Sequence, residues 1–160
     1  MPDSRLYDTD FYAWTQEQAA ALRRMAEARL NTELDLEHLA EEVESLGNRD
    51  LDALMSDLSR VIEHLLKLEH STAADPRNKW RLSVVEHRTR AQEALENSGT
   101  VRRAAPDLLP KAWNRARKLA AKAMELYDGI DPGTLPAACP WTLEQILDDD
   151  FWPASRQGLD

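Results

Sequence analysis

The stretch "LDLEHLAEEVESLGNRDLDALMSDLSRVIEHLLKLEH", residues 34–70, decides the fold class. At about 100° per residue, Leu36, Leu39, Ala40, Val43 and Leu46 share one helical face. Leu51, Leu54, Met55, Leu58, Val61, Ile62, Leu65 and Leu66 then form a wider stripe of the same period. Asp35 suits an N-cap and Gly47 a C′ position, so the stretch reads as two helices, the second opened by Asn48 or Asp50 and ending near His70. The alternative is one helix kinked at Gly47.

Working outward, Phe11, Trp14, Ala21, Leu22 and Met25 recur at helical spacing and predict a helix over about 9–29, with Asp8 or Asp10 at its start. A further helix over about 78–96 follows the Asp75-Pro76 turn and stops at Asn97-Ser98-Gly99. Another covers about 108–127, entered through Asp107 and Pro110, with a shorter turn near 100–105 ahead of it. The tail "DGIDPGTLPAACPWTLEQILDDDFWP", residues 128–153, holds four of the eight prolines and is mostly irregular. Thr142 with Gln145 makes a capping box for a last short helix. Trp141, Leu143, Ile146, Leu147, Phe151 and Trp152 are apolar enough to carry this tail back onto the helices. β-branched runs are absent, and Ala, Leu, Glu and Arg dominate. The expectation is an all-α fold: a single compact bundle of about five helices with an irregular C-terminal tail ending in a short helix. It forms one domain over 1–160, with residues 1–8 an N-terminal arm and 128–160 a tail packed on the bundle.

Composition narrows the function classes. With 42% apolar and 31% charged residues, the chain reads as a soluble globule. No apolar run approaches the ~20 residues that span a bilayer, and "MPDSRLYDTDFY" lacks the pattern of a secretory signal. One cysteine, Cys139 in "AACPW", has no basic neighbour to lower its pKa and reads as a packed thiol in a reducing cytoplasm. Net charge is −9, unevenly spread: −10 over residues 1–75, +7 over 76–127 and −6 over 128–160. The acidic balance argues against nucleic-acid binding by the whole surface. The basic middle leaves a local patch open: Lys111, Arg115, Lys118 and Lys122 line one face, without interleaved aromatics for base stacking.

Between residues 34 and 50, acids surround His38, which raises metal ligation or proton transfer. Helix geometry spreads most of them around the helix as a solvated face. Glu37 and Glu44 are the exceptions, on a shoulder that reaches a neighbouring helix. His64 falls on a shoulder of the next stripe, with Glu63 and His70 on its other side and Lys67 in solvent. His87 falls inside the stripe of Trp80, Val84, Ala91, Ala94 and Leu95, where a polar group needs a partner. The inward polar set is therefore Glu37, Glu44, His64 and His87, a satisfied structural network first and a divalent metal site second. The Glu-x-x-His pairs typical of bundle metal sites do not occur. No cofactor is predicted.

Five blocks carry a resemblance: "YDTDFYAWTQEQAAALR" (7–23), "LDLEHLAEEVESLG" (34–47), "HLLK" (64–67), "KWRLSVVEHR" (79–88) and "CPWTLEQILDDDFWP" (139–153). In order and spacing the chain resembles the bacterial family called domain of unknown function twenty-nine. The resemblance implies an all-helical domain without an established activity. That family's Trp-Arg block usually carries Gln where this chain has His87, which weakens a metal ligand there and suits a hydrogen-bonding role. The leading expectation is a non-enzymatic interaction module binding a protein partner or a second copy of itself, with no membrane. The alternatives are a metal protein or metal-dependent enzyme built on the Glu/His set, and a nucleic-acid-associated protein using the basic face.

Overall fold

The structure, a computed structural model, describes residues 5–160. It is all-α, with six helices and no strand among the described residues. These are α1 (Leu6–Thr9), α2 (Phe11–Glu27), α3 (Leu36–His70), α4 (Arg77–Asn97), α5 (Gly99–Asp128) and α6 (Leu143–Leu147), with a 3-10 turn at Pro132–Thr134. None is long and apolar enough to cross a membrane.

Two expected breaks do not occur. Residues 34–70 form one helix from Leu36, not two parted at Gly47. Gly47 is there for closeness: a Cβ would collide with Thr15 Oγ1 and meet Tyr12 and Gln16 at 3.2 Å. The residue lets α2 approach the α3 backbone, a use of glycine that resembles a C-cap in sequence but is a packing demand. Likewise α5 runs unbroken from Gly99 through Pro106 and Pro110, rather than starting near Leu108. Both prolines face solvent, where the carbonyls they leave unbonded can be hydrated. Of the expected N-terminal arm, residues 1–4 lie outside the described residues, and Leu6–Thr9 is a helical turn.

The chain divides into two compact units, Met1–Ala53 with Ala94–Ala104, and Leu54–Glu93 with Ala105–Asp160. In the first, Asp10 is the N-cap of α2, accepting from Ala13 N at 3.0 Å. The same carboxylate accepts from Ser98 Oγ at 2.6 Å and from Thr100 N and Oγ1 at 3.0 and 2.9 Å. Ser98 in turn caps α5 through Val101 N. Tyr7, Phe11 and Trp14 pack as a ring trio at centroid distances of 4.9–5.6 Å.

In the second unit, Leu54, Leu58, Val61, Ile62, Leu65 and Leu66 of α3 are buried, as are Val84 and Ala91 of α4 and Trp113, Ala116, Ala120 and Met124 of α5. The tail is tied to the helices chiefly through its backbone. Arg117 Nε donates to Pro136 O at 2.6 Å and Trp113 Nε1 to Ala137 O at 3.3 Å. Trp141 is buried, edge-on to both Trp113 and Phe151. Thr142 and Gln145 form the reciprocal capping box of α6. Cys139 is half-buried and donates to Trp141 O; burial pushes its thiol up.

Candidate functional site

The polar side chains of the second unit gather along α3 and α4. Asp57, Arg60, His64 and Lys67 recur at three- and four-residue steps of α3, which stacks them on one side. His87 Nδ1 lies 2.7 Å from Asp57 Oδ1. Glu63 is buried and holds both flanking cations: Arg60 Nη1 reaches Oε2 and Lys67 Nζ reaches Oε1, each at 3.0 Å. Lys67 Nζ also lies 5.9 Å from the centre of the Trp80 ring. His64 is half-buried and its Nδ1 has no hydrogen-bond partner in the protein. Burial pushes its imidazole down to about 4, although Glu63 pulls the other way.

Lys67 and Trp80 also line a cavity of about 440 Å³. Its walls include Pro76, Met124, Tyr127 and Asp128. Asp128 accepts from Ser71 Oγ at 2.6 Å, and Tyr127 is 87% exposed. The lining is therefore mostly apolar and aromatic, with an ammonium paired to Glu63 and a carboxylate bonded to Ser71. Such walls bind an apolar group and orient it with few polar contacts.

Of the expected set, Glu37 and Glu44 fall in the first unit, and His64 and His87 in the second. Glu37 is exposed in the first unit, on a cavity with Arg23 and Glu41, and Glu44 pairs with Arg23 Nη2 at 2.7 Å. His64 and His87 belong to the second unit, where the carboxylate that meets His87 is Asp57. No group of three or more His, Cys, Asp or Glu is placed to hold a metal among the described residues. Helical periodicity puts a side chain on a shoulder; it does not choose which helix that shoulder faces. His38, central to the acidic stretch, is exposed and bonds Asp35 at 2.6 Å, which raises its pKa. Lys111, Arg115, Lys118 and Lys122 are exposed on α5, Arg115 donating to Ser56 and Lys122 to Glu125.

Three buried charges were not among the expected residues. Glu63 and Arg77 are two. The third is Arg88, fully buried: Nε donates to Ile146 O at 2.7 Å, and Nη2 to Phe151 O at 2.8 Å and Gln145 O at 3.4 Å. Its guanidinium lies 5.0 Å from the centre of the Trp152 ring. Arg88 thus satisfies carbonyls at the end of α6 that helix geometry leaves open. Its signal was present, since it stands between Val84 and Ala91 at the spacing of the α4 stripe. Lys67, expected in solvent, is largely covered instead.

The model of the family "Domain of unknown function DUF29" matches residues 6–152. The chain belongs to this family. A solved structure from Rhodospirillum rubrum ATCC 11170, described as an alpha-helical protein of unknown function, is 26% identical, covers 93% of each chain and superposes with a TM-score of 0.76. None of the curated proteins matches. In this DUF29 chain the five sequence blocks meet in space within the units. Block 7–23 meets 34–47 where Gly47 faces Thr15. "HLLK" meets "KWRLSVVEHR" where Lys67 lies by Trp80. That block meets the tail block where Arg88 holds Ile146 and Phe151.

Proposed function

We propose that the chain is a non-enzymatic recognition module, and that its second unit takes an apolar side chain of a protein partner into the cavity between Trp80 and Tyr127. The observation that carries this reading is Tyr127 itself. A large aromatic side chain, 87% exposed, stands on the rim of an apolar cavity, with Leu126 beside it in sequence at 67% exposure. Aromatic anchors over a small desolvated pocket are where protein interfaces concentrate their affinity. Lys67 suits wall rather than ligand duty, because Glu63 neutralises it and Trp80 covers it. A packed thiol at Cys139 and a relative from Rhodospirillum rubrum support work in a bacterial cytoplasm.

The test is a photo-crosslinking amino acid placed at Tyr127 in the full chain inside cells, with Lys118 as an exposed control on the charged face of α5. Crosslinking at residue 127 to one defined protein, or to a second copy of the chain, supports the reading when residue 118 does not give it. Equal crosslinking from both positions, or none above background from residue 127, overturns it.

A further inference from the structure

A second cavity in the second unit has a different chemistry. It holds about 560 Å³, and Arg77, Arg81 and Asp160 meet there against Trp152, Pro153 and Leu68. Arg77 is buried. Its Nη1 donates to Leu68 O at 3.0 Å, while its Nε has no hydrogen-bond partner in the protein. Its Nη2 lies 3.4 Å from Asp160 Oδ1, and Arg81 Nη2 lies 4.0 Å from the same oxygen. The other carboxylate oxygen accepts from Ser155 N at 2.7 Å. Two guanidiniums therefore face one carboxylate whose side chain is about half exposed.

We propose that this cavity is a binding site for an apolar carboxylate, and that Asp160 is its internal occupant and competitor. Two features set the ligand class. The paired guanidiniums favour a planar oxyanion, which their forked donors match better than an ammonium would. The remaining wall is hydrocarbon and indole, and an aspartate side chain fills little of the volume, so the fitting ligand carries an apolar body behind its carboxylate. The Arg88 guanidinium near the Trp152 ring holds that wall in place. A tethered carboxylate competes at an effective concentration of the order of millimolar, so the site is masked rather than closed. The site is separate from the Trp80 cavity and does not depend on the reading given for it.

The experiment is calorimetric titration of the full chain with phenylacetate, with neutral phenylacetamide as the control ligand. Asp160→Ala is expected to bind phenylacetate roughly tenfold more tightly than the wild type, a difference of about 1.4 kcal/mol. Adding Arg81→Ala to that variant is expected to abolish the gain; Arg81 is the partly exposed guanidinium of the pair, which spares the buried Arg77. Added salt is expected to weaken binding. The proposal is overturned if Asp160→Ala and wild type bind alike, if neither binds, if the amide binds as well as the acid, or if Arg81→Ala has no effect.

Discussion

Asp10 and Thr100 stand 90 positions apart in sequence, yet one carboxylate oxygen of Asp10 accepts from both the backbone N and the hydroxyl of Thr100. The other oxygen caps α2 and bonds Ser98. One side chain thus serves the starts of α2 and α5 at once. Burial pushes the Asp10 carboxyl up, but hydrogen bonds from Ser98, Ala13 and Thr100 outweigh it and hold it below the usual value. Its contribution is present above the unfolded pKa of 3.8 and is lost as pH falls through the lower folded value. Asp10→Ala is expected to cost about 2–3 kcal/mol in urea unfolding at neutral pH, more than a single lost cap. A cost equal to that of an exposed substitution such as Lys118→Ala would refute the double role.

Arg88 is the tie between α4 and the tail. Replacing it with Met keeps much of its volume but leaves the carbonyls of Ile146 and Phe151 without their donor. The expected loss is about 2–4 kcal/mol, from buried acceptors left without a donor. Because the tie is to residues 145–151, limited proteolysis should cut the tail of Arg88→Met before the helices. Protection of the tail equal to wild type would show that Trp141 and Arg117 suffice.

At Gly47 the usual sign of a helix substitution reverses. Glycine to alanine inside a helix gains up to about 1 kcal/mol from propensity. Here the new methyl meets Thr15 Oγ1, which is buried and held by its bond to Tyr12 O at 2.6 Å. Gly47→Ala should therefore lose about 1–3 kcal/mol by overpacking. Thr15→Ala in the same chain should return most of that loss, a coupling that a double-mutant cycle reads directly.

His64 sets a pH dependence. Above its ordinary value of 6.5 the imidazole is neutral whether the chain is folded or not. Between 6.5 and about 4 the unfolded chain takes up a proton that the folded chain refuses, so stability falls as pH drops through that window and then levels. The difference in unfolding free energy between wild type and His64→Gln should shift by about 2 kcal/mol across it, discounted for partial exposure. A constant difference would mean that His64 takes up its proton as readily in the fold as in the unfolded chain.

The local features were legible in the residues themselves. Helix type, the buried α3 stripe from Leu54 to Leu66, and the caps at Asp10, Asp35 and Thr142 follow from spacing and short-range hydrogen bonding, which neighbours in sequence decide, whereas Leu39 and Leu46 of the earlier stripe are exposed. Tertiary structure alone decided which polar groups meet. It gave His87 to Asp57 and Glu44 to Arg23, made Gly47 a point of close approach, and buried Glu63, whose two cations are neighbours on its own helix. It also turned Arg88 toward the tail carbonyls. The physical reason is that periodicity sets the face a side chain occupies, while the rotation and pairing of whole helices set what that face touches.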